Sequence, residues 1–276
     1  MHQFRRLLAS GLLAVNRLIG TVKRIDVSNN ASAIVFAPHP DDEVLGCGGV
    51  IALKMRAGAR VHVVVMTDGR TSHRNLMDEE TLVKMRRTEA VEAGRQLGLN
   101  DDYQFLEYED HRLAQSHDVA IERVLEILSR YQPDEIYLPH RHDGIIDHIQ
   151  TNLIVREAVK RSNRPVVLFE YPVWLWNTWP WTQRGVHHAH GKINRIIETT
   201  RAILEIVLEC RTRVDVSSVY AIKQSALAVY RTQIQRHNDN ERWPILADIS
   251  EGEFLKCFES STEMFRRTKY RPTVSR

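Results

Sequence analysis

Apolar residues follow two alternating rhythms along this chain. Ala33 to Ala37 (AIVFA), Val61 to Met66 (VHVVVM) and Pro165 to Glu170 (PVVLFE) are short, nearly continuous apolar runs. They lack the in–out alternation of a half-exposed strand, so they predict strands buried on both faces. Tyr103 to Leu106 and Glu135 to Leu138 are further strand candidates. Between them lie stretches with helical spacing: Val44 to Ala57, Glu79 to Leu97, Val119 to Tyr131 and Asp147 to Arg161. The third places Ile121, Val124, Leu125 and Leu128 on one face. Thr67-Asp68-Gly69 closes one strand, Gly98 caps one helix, and Pro133-Asp134 breaks another.

Strands alternating with helices require crossover connections. The pattern therefore predicts an α/β fold, a mainly parallel sheet with helices on both faces. Ligands of such sheets sit beyond the carboxyl ends of the strands, so functional residues should follow directly after the apolar runs. The C-terminal third is less regular. It reads as a Trp- and His-rich loop over Tyr171 to Gly191, helices over Ile193 to Cys210 and Tyr220 to Arg236, an edge strand at Arg213 to Val216, and a loose basic tail after Phe265. With no repeat or linker in between, the expected organisation is an arm over 1–30, a single domain over 31–265 and a tail over 266–276.

In the arm, Leu7, Leu8, Leu12, Leu13 and Leu18 suit one broad helix face. An amphipathic helix packing on the domain or on a second subunit is the simplest expectation. A membrane-surface contact through Arg5, Arg6, Arg17, Lys23 and Arg24 is the sharper one. Asn16 and Arg17 interrupt the apolar run too early for a clean export signal.

Composition narrows the partners. Of 276 residues, 43% are hydrophobic and 26% charged, which fits a globular protein. A formal net charge of +3 gives no general case for nucleic-acid binding. Three cysteines are too few for a disulfide framework, so a reducing cytoplasm is the simplest compartment. No stretch approaches the roughly 20 apolar residues of a spanning helix.

The chemistry sits where the sheet rule puts it. The first strand runs into Pro38-His39-Pro40-Asp41-Asp42-Glu43. His39 and Asp42, three apart, can face one point in a tight turn, and imidazole plus carboxylate is a partial set for Zn²⁺ or Fe²⁺. Asp41 is displaced from that pair and suits proton transfer. A third ligand should come from another strand end. After Glu135 to Leu138 the chain reads Pro139-His140-Arg141-His142-Asp143-Gly144-Ile145-Ile146-Asp147-His148. His148, at the start of the next helix, is the best candidate, with Asp147 beside it as an orienting group.

These residues resemble the PIG-L/LmbE-like zinc-dependent de-N-acetylases. The resemblance rests on His39-Pro40-Asp41-Asp42-Glu43, on Gly46-Cys47-Gly48-Gly49, and on Thr67-Asp68-Gly69. It extends through Arg86-x-x-Glu89 with Leu97-Gly98, Asp110 to Leu113, Asp147-His148, and Lys223-x-x-Ala226-Leu227 with Tyr230 and Gln233. It implies a Rossmann-like fold, His39, Asp42 and His148 as zinc ligands, Asp41 as general base, and Arg86 and Asp110 near the substrate. The implied reaction is hydrolysis of an N-acetyl amide on a GlcNAc-type amino sugar, releasing acetate. One departure matters: many members carry His-x-Asp-His in the second motif, and Ile145 stands in place of its first His. His142 and His140 are the nearest substitutes for that group, which is thought to stabilise the oxyanion or protonate the leaving amine.

Other features have plain readings beside the sharp ones. Trp174, Trp176, Trp179 and Trp181 could offer a sugar-stacking platform, Trp174 foremost, or fill a core or subunit interface. His187, His188 and His190 invite a second metal, although a loop run of His is more often solvated. The run Gly46-x-Gly48-Gly49 lacks nucleotide-loop spacing. A zinc hydrolase of another N-acyl group, and a binding protein that kept the fold, stand as alternatives to the deacetylase.

Overall fold

The computed structural model describes residues 2–18, 23–24, 30–100, 102–182 and 192–272. The chain order is α1 (His2–Leu18), β1 (Lys23–Arg24), β2 (Ala33–Ala37), α2 (Asp42–Arg56), β3 (Val61–Thr67), α3 (Glu79–Gln96), β4 (Tyr103–Tyr108) and α4 (His117–Tyr131). It continues with β5 (Glu135–Pro139), α5 (Ile146–Ser162), β6 (Val166–Tyr171), α6 (Lys192–Leu204), β7 (Thr212–Asp215), α7 (Tyr220–Val229), α8 (Arg231–Ile234), α9 (Glu253–Lys256) and β8 (Thr262–Tyr270). The strands form one eight-stranded sheet in the order β1-β7-β8-β6-β5-β2-β3-β4. The block from β6 to β4 is parallel throughout, and β8 runs antiparallel to both of its neighbours.

The unbroken apolar runs follow from burial on two sides. Ala33, Val35 and Ala37 of β2 face α2 and α3, together with Val63 and Val65 of β3. Ile34 and Phe36 point the other way and pack with Ile121 and Val124 of α4 and Ile154 and Val155 of α5. A strand covered on both faces has no position left for a polar residue. Helix α3 starts where Asp78 accepts a hydrogen bond from the Thr81 N–H at 2.9 Å, a side-chain N-cap.

The C-terminal third departs from its sequence pattern in three places. The expected loose tail is partly strand: Arg266 to Tyr270 pair with β6, while Thr262 to Phe265 pair with β7. Its arginines hid that strand from a hydropathy reading, and Arg266 is matched there by Glu170 and Glu209. The expected edge strand at Arg213 to Val216 is interior, flanked by β1 and β8. The helix expected over Tyr220 to Arg236 breaks at Tyr230, whose ψ of 60° leaves the helical range. Helix α6 runs into a single π turn over Glu205–Glu209.

Candidate metal centre

From β2 the chain proceeds outward to β3 and β4, then returns to the other side of β2 with β5 and β6. The carboxyl ends of β2 and β5 therefore flank a topological switch point, the standard ligand crevice of such sheets. His39 and Asp42 follow β2, and His148 lies in the first turn of α5 after β5. One candidate ligand atom from each of the three lies within 4.8 Å of the others.

Two carboxylates outside this trio fix its imidazoles. The Asp143 Oδ2 lies 2.8 Å from Nδ1 of His148, and a carboxylate only accepts, so the imidazole proton sits on Nδ1. Nε2 lies 3.1 Å from Asp42 Oδ2 but makes no hydrogen bond to it. His39 repeats the arrangement. Its Nε2 faces Asp110 Oδ1 at 3.0 Å, and its Nδ1 faces Asp42 Oδ2 at 3.2 Å. Carboxylate, imidazole and metal in line is the usual way a protein sets the tautomer and direction of a ligating histidine. A fully buried nitrogen without a hydrogen bond, close to a carboxylate and a second imidazole, fits a divalent cation. Asp143→Ala should lower metal affinity about 10–100-fold while leaving the three ligands in place, as titration against a competing chelator would show.

Burial and neighbouring charges push the two adjacent carboxylates in opposite directions. Burial works to raise the Asp42 carboxyl, yet His148 and His39 hold it well below the usual carboxylate range. Burial works to lower His148, but Asp42 and Asp143 raise it to about 9. Asp41 goes the opposite way from its neighbour. Burial pushes it up to about 8, with Arg86 pulling down and Asp42 and Glu43 pushing further up.

Asp41 has the left-handed φ of 117°, which a non-glycine residue adopts only when its surroundings impose it. Its N–H donates to Glu43 Oε2 at 3.1 Å, and Glu43 is in turn held by the hydroxyls of Tyr103 and Tyr230. The break in the late helix at Tyr230 thus ends on the loop that carries Asp41. Arg86 ties the same loop from the other side, donating to Pro40 O at 2.6 Å and to Gly69 O at 3.1 Å. Gly69 itself has φ of 65°, and a Cβ there would lie 2.3 Å from the Arg86 guanidinium. Gly69→Ala should therefore destabilise the fold by about 2 kcal/mol or more, measured by denaturant unfolding.

Among the sequence-predicted substrate residues, Arg86 is 3% exposed, bonds two backbone carbonyls and lies 3.5 Å from Asp41 Oδ2. Both oxygens of Asp110 are taken, one by His39 and the other by the Thr71 N–H and hydroxyl. Both residues thus fasten the loops around the site through these contacts. Asp147 is buried, accepts the His111 N–H at 2.6 Å and lies 3.5 Å from His39 Nε2. The tryptophans do not form one platform. Trp176 and Trp181 meet edge to face in the core, and Trp174 stacks on Phe254 with centroids 5.0 Å apart. His187, His188 and His190 lie outside the described residues.

A second group of potential ligands, His140, His142 and Glu205, gathers beside the loop after β5. It is built differently. The His142 N–H donates to Nδ1 of His140, so the His140 proton sits on Nε2, toward Glu205. Arg141 and Arg201 already place guanidinium nitrogens 3.6 and 3.9 Å from the Glu205 carboxylate. The cluster carries its own cations. Its result is that Glu205 Oε1 holds Nδ1 of His142 at 2.5 Å.

Sequence reasoning missed Asp143 and Glu205. Asp143 stood in the quoted second motif, and asking each metal histidine for its carboxylate partner would have found it. Glu205 offered no signal, being 63 residues beyond the histidine it meets.

Comparison with known proteins turns the geometry into a family assignment. A family profile described as PIG-L, GlcNAc-PI de-N-acetylase, matches residues 34–159. A "1D-myo-inositol 2-acetamido-2-deoxy-alpha-D-glucopyranoside deacetylase" of Saccharomonospora viridis is 30% identical over 227 residues, 71% of this chain and 82% of that protein. The chain belongs to the PIG-L family. A second PIG-L relative is a "Probable N-acetyl-alpha-D-glucosaminyl L-malate deacetylase 2" of Bacillus subtilis, 26% identical over 73% of this chain and 83% of its own. The PIG-L fold is also that of the N,N'-diacetylchitobiose deacetylase of Pyrococcus horikoshii, with a TM-score of 0.60 at 23% identity over 88% of this chain and 87% of that one.

Proposed function

We propose that this protein is a metal-dependent hydrolase that removes the acetyl group from an N-acetylated amino sugar of GlcNAc type. The observation that carries the reading is the gathering of ligand atoms from His39, Asp42 and His148 within 4.8 Å of one another, with the buried Nε2 of His148 making no hydrogen bond. The relatives named above, both deacetylases of N-acetylglucosamine conjugates, support the substrate class.

His39, Asp42 and His148 would hold the cation, which chemically is Zn²⁺ or Fe²⁺, since a His₂-carboxylate set suits either. A divalent cation there polarises the amide carbonyl and lowers the pKa of water. The remaining work falls to the protein. Asp41, on its strained turn, accepts a proton from the attacking water and can return it to the departing amine. His142 is the donor that stands in for the family histidine absent at Ile145. Of the two nearby histidines, it is the one that reaches solvent, whereas His140 is fully buried and pushed down to about 3 by burial and its cationic neighbours. Glu205 fixes His142 through a proton on Nδ1, so donation from Nε2 requires the imidazolium, with a second proton on that nitrogen. His142→Ala should cost about 10²-fold in kcat, a typical loss for one oxyanion donor, with metal content unchanged. An unaltered rate would remove His142 from this role.

The deciding experiment is acetate release across a panel of N-acetylglucosamine conjugates, with metal analysis on the same sample. Stoichiometric metal with acetate release supports the proposal. Stoichiometric metal without release from any conjugate would favour a binding protein on the same fold.

A further inference from the structure

Helix α1 is apolar on two faces. Its inner face is fastened to the body: Arg5 donates to Pro180 O at 2.8 Å and Trp181 O at 2.9 Å and pairs with Glu253, while Ala9, Leu12 and Leu13 pack on the core. Its outer face carries Phe4, Leu7 and Val15, with Gly11 between them, at spacings of three and four residues. Phe4 is 69% and Leu7 73% exposed. The second concentration lies on α6 and its π turn, against which α1 packs; there Ile196, Ile197, Leu204 and Leu208 are exposed. Together these are seven of the eleven large hydrophobic side chains exposed among the described residues, so they are not the ordinary scatter of a protein surface.

Charge decides what covers this face. Residues 1–25 contain Arg6, Arg17, Lys23 and Arg24, besides the buried Arg5 that Glu253 already pairs, and no Asp or Glu. A two-fold dimer through α1 would set two such acid-free segments side by side, where they repel. An anionic lipid surface neutralises them and takes up the apolar side chains as well. We propose that the outer face of α1, extended by α6, docks this protein on the surface of a membrane rich in acidic phospholipid. The helix lies in the plane of the interface: no described helix is long and apolar enough to cross a membrane. The proposal is independent of the reaction at the metal centre.

The test is co-sedimentation of the full chain with vesicles of phosphatidylcholine mixed with phosphatidylglycerol, against phosphatidylcholine alone. Wild type should bind the mixed vesicles, less at high salt and less without the acidic lipid. The double substitution Phe4→Glu, Leu7→Glu should lower affinity about tenfold or more, with the thermal midpoint unchanged because both side chains are exposed. Ile197→Glu gives a second reading on α6 should the double variant melt early. Arg6→Glu should weaken binding to the mixed vesicles alone. Failure of wild type to bind mixed vesicles overturns the proposal, and so does undiminished binding by a folded variant. A wild-type dimer in light scattering that Phe4→Glu, Leu7→Glu dissolves, without vesicle binding, would assign the face to a second copy.

Discussion

Replacing His148 with alanine is expected to strip the site of its metal and abolish turnover, with the fold retained. The imidazole is the only contribution of β5 and α5 to the ligand trio, and its Nε2 is already free of any hydrogen bond. Removing it leaves Asp42 and His39, two ligands from one turn, which hold a divalent cation poorly. The loss in affinity should exceed the roughly 10–100-fold that follows from disturbing a supporting carboxylate. Chelator competition gives the size of the effect, and circular dichroism separates it from unfolding. The side chain is fully buried, and alanine also leaves Asp143 Oδ2 without the imidazole it holds, so some loss of thermal stability is expected. A purified His148→Ala protein that keeps full metal content would show that the cation, if any, sits elsewhere.

Asp41→Asn should behave in the opposite sense. Metal content should be preserved, because Asp41 is outside the trio, and kcat should fall by about 10²–10⁴-fold, the usual worth of a positioned general base. The backbone of this residue is held by Glu43 through its N–H and by Arg86 through the neighbouring Pro40 carbonyl, both of which remain, while the long 3.5 Å contact of Arg86 to the Asp41 carboxylate loses its charge. Asparagine also tolerates a positive φ better than most residues, so the strained turn should survive. Loss of metal in this variant, combined with its retention in His148→Ala, would reverse the two assignments.

The two variants also mark how far the chemistry was legible. His39, Asp41 and Asp42 lie within four residues, and their relation is local: three residues of separation suffice to place imidazole and carboxylate together. His148 is more than a hundred residues away. It was still within reach because continuous apolar runs alternate with amphipathic helices, and a parallel sheet gathers its strand ends on one side. The supporting groups were harder. Arg86 and Asp110 were placed near the site through resemblance to a family. Only the tertiary structure shows that Arg86 also fastens the loop of Asp41 and Asp110 the ring of His39. The tryptophan pairs invited a sugar platform, and two of the four rings went into the core instead.

Strand and helix periodicity determined the α/β architecture from β2 to β6, because burial on two faces writes itself into every residue of a strand. The same sequence marked the turn and the strand end from which a metal would be held. Tertiary structure alone decided the rest. The break at Tyr230 has no glycine or proline to announce it, and its hydroxyl is bonded to Glu43. The basic stretch Arg266 to Tyr270 became strand because Glu170 and Glu209 were there to receive Arg266. The partnership of Glu205 with His142 joins two segments that share no local pattern. Hydrophobic burial is a property of each residue and its near neighbours, so the chain displays it. A hydrogen bond between distant side chains exists only once the backbone has brought them within about 3 Å, and nothing in either segment states that distance.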